Sequence, residues 1–298
     1  MLDLLRDFAA AGAFVMLMAP PTVRPVPHPL PHPPAPTRSE APSAPPAQGL
    51  LGLPLALTDY DAVLHWIDAA VAARHRGYLC VAAVHTVMAA REDPSLRAAV
   101  LSADFTVPDG QPLVWALNAL GHGLSDRVYG PELMDRACTR AARTGHKLYL
   151  YGGTNQGALA QLARSLRLRH PGLRVVGGYS PPFRPLTDAE SDEVAAAINR
   201  SGADVVWVGI GVPKQEKWMA AMRPRLEAPV LIGVGAAFDF HAGLMPQAPD
   251  ALQRLGLEWA FRLAQEPGRL WKRYLRYNPR FVLGFARQYA RHRRRERP

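Results

Sequence analysis

Val205-Val206-Trp207-Val208-Gly209-Ile210-Gly211-Val212-Pro213-Lys214-Gln215-Glu216-Lys217-Trp218 decides the fold of this 298-residue chain. An unbroken β-branched and aromatic run enters a glycine turn, Pro213 fixes the turn, and Lys214 opens a helix. A strand that is apolar throughout, rather than alternating, is one covered by helices on both faces, as in a parallel sheet. The same pattern recurs along the chain. Strands are predicted at 78–84, 105–107, 147–151, 173–176, 205–210 and 230–234. Helices are predicted at 59–76, 94–102, 111–120, 131–144, 156–170, 188–200 and 214–222. Strand and helix in turn predict an α/β fold, a doubly wound, mostly parallel, Rossmann-like sheet. In such sheets ligands bind beyond the carboxyl ends of the strands, so the loops there carry the function.

Three regions differ in composition. Twelve prolines lie between Pro20 and Pro46 among Ala, Ser, Thr and His, which predicts a disordered, Pro-rich segment over 1–48. The apolar run Phe8–Met18 is about half the roughly twenty residues a bilayer requires, and Asp3 and Asp7 spoil a signal-peptide start. The catalytic-type α/β body is expected over 49–265 and a basic, aromatic-rich helical appendage over 266–298. Residues 269–298 hold eleven Lys/Arg against the single acid Glu296, a surplus equal to the +10 of the whole chain. The body is therefore electrically neutral, and the cationic end, interleaved with Trp271, Tyr274, Tyr277, Phe281 and Phe285, points to an anionic partner, lipid surface or nucleic acid. Cys80 and Cys138 sit in apolar patterns with no metal-ligand spacing, so both are expected to be buried thiols.

The strand exits are glycine-rich. Gly152-Gly153-Thr154-Asn155-Gln156-Gly157 leads from a strand into a helix and offers backbone N–H groups to a phosphate or sugar, although tight turns alone would also use these glycines. It is not a dinucleotide fingerprint: the glycine spacing differs, and the next strand ends Val176-Gly177-Gly178-Tyr179 without the ribose-binding acid. Gly211, Lys214, Gln215 and Glu216 put an open turn, an ammonium, an amide and a carboxylate at another exit. Gly233 to Gly243 forms a third, carrying Asp239 and His241, with His241 read as a structural hydrogen-bonder. Val107-Pro108-Asp109-Gly110 is a turn by local grammar, yet it places a carboxylate at a strand end, where it is able to accept a proton from a hydroxyl nucleophile. Asp59-Tyr60-Asp61 has the form of a metal-binding Asp-x-Asp. Behind Thr58 and ahead of Val63 and Ile67 it reads better as a helix start.

In order along the chain, seven segments resemble the WecG/TagA/CpsF family of bacterial glycosyltransferases (glycosyltransferase family 26), roughly from Leu53 to Tyr277. They are Val84-His85-Thr86-Val87-Met88, Pro108-Asp109-Gly110, Arg127-Val128-Tyr129-Gly130-Pro131-Glu132-Leu133-Met134, Gly152-Gly153, Gly209 to Trp218, Phe238-Asp239 with Ala242-Gly243, and Leu257-Glu258-Trp259 with Arg262-Leu263, Glu266-Pro267 and Arg273. The resemblance implies transfer of a sugar, N-acetylmannosamine in the best-known members, from a UDP-sugar to a polyprenyl-diphosphate-linked acceptor in exopolysaccharide or cell-wall synthesis. It implies inversion at the anomeric carbon, no metal or other cofactor, and a peripheral place on the cytoplasmic face of the plasma membrane. By it Asp109 is the general base. Gln215, with Lys214, Glu216 and Gly211, contacts the nucleotide sugar; Gly152, Gly153, Asn155 and Asp239 line its pocket; and Arg273 and Arg276 meet the diphosphate charge from the appendage. The chain departs from the family at Ala82-Ala83, where a polar pair is usual, and at Gln247-Ala248-Pro249, where Arg-Ala-Pro is usual; both bear on donor or acceptor identity.

Two readings from other classes stand beside it. A nucleic-acid-binding protein gripping phosphates with the tail would bind DNA with strong salt dependence, and a nicotinamide oxidoreductase is weakened by the missing acid. A neutral body carrying these motifs favours the membrane over nucleic acid as the tail's partner, because the acceptor that the resemblance implies is itself lipid-linked and anionic; the oligomeric state stays open, a homo-oligomer included.

Overall fold

A computed structural model describes residues 41–295, so the expectations for Phe8–Met18 and for most of the proline-rich segment fall outside the described residues. The chain enters as a hairpin, β1 (Ala47–Leu50) and β2 (Leu53–Ala56), paired antiparallel. The sequence reading did not anticipate it, and its first strand begins inside the stretch assigned to the linker. Leu50, Leu53 and Leu55 are its buried face.

The body is a six-stranded, all-parallel sheet of β3 (Gly77–Ala82), β4 (Phe105–Pro108), β5 (Lys147–Gly152), β6 (Arg174–Tyr179), β7 (Val205–Gly209) and β8 (Val230–Gly233), in the order β4-β3-β8-β7-β5-β6. One face is covered by α1 (Tyr60–Ala72), α5 (Gly130–Thr144) and α6 (Gln156–Arg169), which pack Trp66, Leu133, Met134 and Leu162 against Leu79, Leu150 and Trp207. The other is covered by α2 (Val84–Glu92), α3 (Pro94–Leu101), α4 (Gln111–Ala119), α7 (Asp188–Ser201) and α8 (Lys214–Met222) over Tyr149, Val206, Val208 and Leu231. Two apolar cores on opposite faces explain why the strands do not alternate. Cys80 and Cys138 are buried, unpaired thiols within them.

Local chemistry sets the helix ends. Asp59 caps α1 through Ala62 N–H at 2.8 Å, one residue beyond the Thr58 cap expected; Asp93 caps α3, and Thr187 with Glu190 forms a capping box on α7. The helix α2 corrects the reading of 78–84 as one strand. Thr86 Oγ1 accepts the Ala83 N–H at 3.3 Å, and the chain turns helical at Val84 despite its β-branched residues.

From β5 the chain passes through α6 outward to β6, whereas from β7 it passes through α8 the opposite way to β8. The two exits diverge between adjacent strands, which makes the β5/β7 boundary the topological switch point. After β8 come the short α9 (Ala237–His241) and α10 (Asp250–Arg254), then α11 (Glu258–Gln265) and the 29-residue α12 (Pro267–Arg295). Helix α12 lies against α2 and α11, burying Leu270 and Phe281; Arg276 and Arg280 pair with Glu92 at 2.7 and 2.6 Å, and Gln288 grips the hairpin turn at Leu51 N–H and Gly49 C=O. No helix among the described residues is long and apolar enough to cross a membrane.

Candidate active site

The carboxyl edge of the sheet carries two neighbouring groups of residues. The first surrounds a cavity of about 490 Å³ walled by the exits of β3 and β4, by α4, and by α11 and α12 arching over them. Asp109 stands at its floor. Its backbone N–H extends the ladder to Ala82 C=O at 2.8 Å, and its Oδ1 accepts the Gly130 N–H at 2.8 Å, so the carboxylate is aimed by strand pairing and by the first residue of α5. Burial pushes its pKa up to about 6, the nearby Glu258 charge adds to this, and Arg127, Arg262 and the Gly130 N–H oppose it. A carboxylate poised there is ionised at neutral pH yet basic enough to take a proton.

Arg127 fixes the surroundings of Asp109. Its guanidinium donates to Glu258 Oε2 and Gln253 Oε1, both at 2.8 Å, and to the Asp109 backbone C=O at 3.3 Å, while lying 4.1 Å from the centre of the Tyr129 ring. The Arg127 and Glu258 side chains are only 8% and 13% exposed. This pair ties the C-terminal helices to the strand that bears the carboxylate.

Opposite stand Arg262 and Arg273. Both have an Nε buried from solvent without a hydrogen-bond partner among the described residues, so what they bring to the cavity is positive charge. His85, at the start of α2, lines the same cavity; burial, with Arg273 and Arg262 nearby, lowers its pKa to about 3, so it is a neutral imidazole. Trp115, Trp259, Tyr274 and Phe285 supply apolar walls.

The second group sits at the switch point. Gly152, at φ +136°, lies so close to β7 that an added Cβ would be 2.6 Å from Gly209 C. Gly153 donates its N–H to Gly209 C=O at 3.1 Å. Asn155 is the N-cap of α6, accepting the Ala158 N–H at 2.9 Å. Half-buried Asp239 accepts from the Thr154 hydroxyl at 3.4 Å, and burial raises its pKa. Arg262 acts electrostatically on both Asp239 and Asp109 and so joins the two groups.

The expected site residues divide. Asp109 and Arg273 share the cavity, and Gly152, Gly153, Asn155 and Asp239 share the switch point. Gly211, at φ +78°, and exposed Lys214 border the next turn. Gln215 and Glu216 are more deeply buried than their place at a helix start suggests. They are 2% and 0% exposed, directed beneath the β8 exit, with Gln215 Nε2 donating to Glu216 Oε1 at 2.8 Å and burial pushing Glu216 up to about 7. An added Cβ on Gly233 would lie 3.1 Å from Gln215 Nε2, which places the pair under the β8 exit, and Gln215 Oε1 and Glu216 Oε2 are buried there without a hydrogen-bond partner among the described residues. Arg276 differs from expectation: exposed and paired with Glu92, it does not line the cavity. His241 is the structural hydrogen-bonder expected. Arg169 donates to its Nδ1 at 3.0 Å, which leaves Nε2–H to donate to Pro131 C=O at 2.9 Å.

Sequence reasoning gave no role to Arg127, Glu258, Arg262 or His85. Their clue lay in the ordered segments that contain them, since no local pattern marks them. Among the described residues no group of three His, Cys, Asp or Glu side chains is arranged to hold a metal ion, and Asp59 is engaged as a helix cap. A family model described as the glycosyl transferase WecG/TagA/CpsF family matches residues 48–295, from the hairpin through the end of α12. The parallel sheet and the cavity at its carboxyl edge are thus the framework of a glycosyltransferase, and the chain belongs to the WecG/TagA/CpsF family.

Proposed function

We propose that the protein transfers a sugar from a UDP-sugar to a polyprenyl-diphosphate-linked acceptor, with inversion and without a metal ion. The observation that carries this reading is one cavity lined by Asp109, Arg262 and Arg273. Asp109 takes the proton of the acceptor hydroxyl as its oxygen bonds to the anomeric carbon. The bond from that carbon to the UDP oxygen breaks, and its electron pair leaves with the diphosphate. The guanidinium charges of Arg262 and Arg273 answer the charge that develops there, the role a metal ion would otherwise fill. Glu258, the other carboxylate of the cavity, is committed to Arg127, which supports single displacement over a covalent glycosyl intermediate.

The neighbouring surface supports work at a membrane. Trp271, Leu275 and Val282, spaced 4 and 7 apart on α12, form an exposed apolar strip of 48%, 66% and 63% exposure, flanked by Lys272, Arg276 and Arg280. An acceptor carried on a lipid at the inner face of the membrane would meet the cavity from this side.

Purified protein incubated with a panel of UDP-sugars and synthetic lipid-diphosphate acceptors should release UDP with one donor and form an inverted linkage, and EDTA should leave the rate unchanged. Absence of transfer across the panel would overturn the reaction class. Loss on chelation would overturn metal independence.

A further inference from the structure

A second cavity, of about 580 Å³, shares no residue with the first. It lies between the hairpin turn, the end of α2, α3 and the second half of α12, and four arginines line it: Arg91, Arg97, Arg287 and Arg291. No described acidic residue does. Arg287 and Arg291 are one helical turn apart on the face that carries Gly284 and Gln288. Gly284 keeps the approach narrow, since an added Cβ would lie 3.3 Å from Leu51 Cδ2 and 3.5 Å from Arg91 Nη1. Gln288 holds both sides of the hairpin turn, at 2.9 Å to Leu51 N and 2.7 Å to Gly49 O, so the cavity wall is fixed by hydrogen bonds.

Four exposed arginines line this cavity with no described acid to balance them, which leaves it strongly positive. The neighbouring Glu92 is already committed to Arg276 and Arg280, and Asp93 to Lys217. Arg91, Arg287 and Arg291 have neither hydrogen bond nor ion pair among the described residues, and Arg97 reaches only Gly52 C=O at 3.5 Å. Planar guanidinium forks of this kind match the oxygens of phosphate groups. We propose that this cavity is a binding site for a phosphate-bearing anion, separate from the transfer site. Its ligand is either the headgroup of an anionic lipid or a soluble phosphate compound. The inference does not depend on the reading of the Asp109 cavity, and two of its four arginines lie outside the basic C-terminal helix.

The test compares two charge-matched double variants of the full chain, Arg91→Gln/Arg97→Gln in the cavity and Arg294→Gln/Arg295→Gln beyond it. Each is titrated with inorganic pyrophosphate and with phosphatidylcholine vesicles with or without phosphatidylglycerol. The expected result is that the cavity variant loses one pyrophosphate site, or loses partitioning to phosphatidylglycerol vesicles by about tenfold more than the control variant. Loss in the vesicle arm alone identifies the lipid headgroup as the source, and loss in the pyrophosphate arm alone identifies a soluble phosphate. Equal behaviour of the two variants in both arms would reduce the cavity to diffuse surface charge and overturn the proposal. Gly49→Glu, which adds a carboxylate at the rim where a Cβ meets nothing within 4 Å, should reproduce the loss if the arginine substitutions disturb folding.

Discussion

Replacing Asp109 with Asn should make the protein at once less active and more stable, with a pH dependence that distinguishes the cause. Asn keeps an acceptor for the Gly130 N–H, so the 2.8 Å contact that aims the side chain survives. What disappears is a carboxylate whose pKa burial has raised from 3.8 to about 6. A group whose folded pKa lies above its unfolded one favours the folded state fully below the unfolded value, and that contribution is lost as pH rises through the folded value. In the wild type the loss spans about pH 4 to 6. It amounts to about 3 kcal/mol at most, because Asp109 keeps partial contact with water in the cavity. Asn does not titrate and escapes the loss. Denaturant unfolding should therefore give equal stabilities near pH 4, taken relative to a common low-pH reference, and a variant more stable by up to about 3 kcal/mol above pH 7. Turnover should fall by about 10² to 10⁴, as for loss of a general base, with UDP affinity nearly unchanged. A stability difference that does not vary with pH would refute the buried-carboxylate argument, and wild-type turnover would refute the base.

Glu258→Gln should destabilise the fold by about 3–5 kcal/mol by stranding the buried Arg127 charge. It should also move the acid limb of the pH–rate profile to lower pH, since it removes a repulsion on Asp109 and frees Arg127 to attract it; a limb that stays in place would contradict this coupling. Arg273→Ala should cut turnover by about 10² to 10³, whereas Arg276→Ala, which loses only an exposed pair with Glu92, should stay within about threefold of wild type in the same steady-state assay. Gly152→Ala should cost about 1–3 kcal/mol from the φ of +136° alone, with the Gly209 backbone contact added, read as a lowered thermal midpoint.

What could be read in the sequence follows from how local the determining physics is. The strands around Leu148 and Val206 were legible because a parallel strand buried on both faces leaves an unbroken apolar run. The hairpin from Ala47 to Ala56 was not, because its first strand runs directly on from the prolines up to Pro46 and shares their linker composition; its pairing and its packing on β4, α3 and α4 appear only in three dimensions. Helix α2 was missed: the predicted strand ran on to Val84 and 85–93 were assigned no element, because β-branched Val84, Thr86 and Val87 give no clear helical signal, and the Thr86 hydroxyl on the Ala83 N–H settles the matter in three dimensions. Asp109 was legible as a carboxylate at a strand exit. Arg127 and Glu258 were not, since they meet across 131 residues. Gln215 and Glu216 show the limit of reading a helix start: sequence places them at the sheet's edge, but only packing tells which side of the helix faces inward.

Helix α12 follows every strand of the sheet, yet Arg273, Tyr274 and Phe281 form a wall of the cavity that holds Asp109. During synthesis the sheet and its carboxylate therefore exist before their enclosure does. At about 5–20 residues per second, the 29 residues of α12 take seconds to appear. Over that interval the nascent chain has Asp109 at its strand end but not the Arg273 cation beside it. Enclosure of the cavity thus arrives as a late event in the life of each molecule, and a product cut ahead of Pro267 would retain the strands of the sheet while lacking that wall.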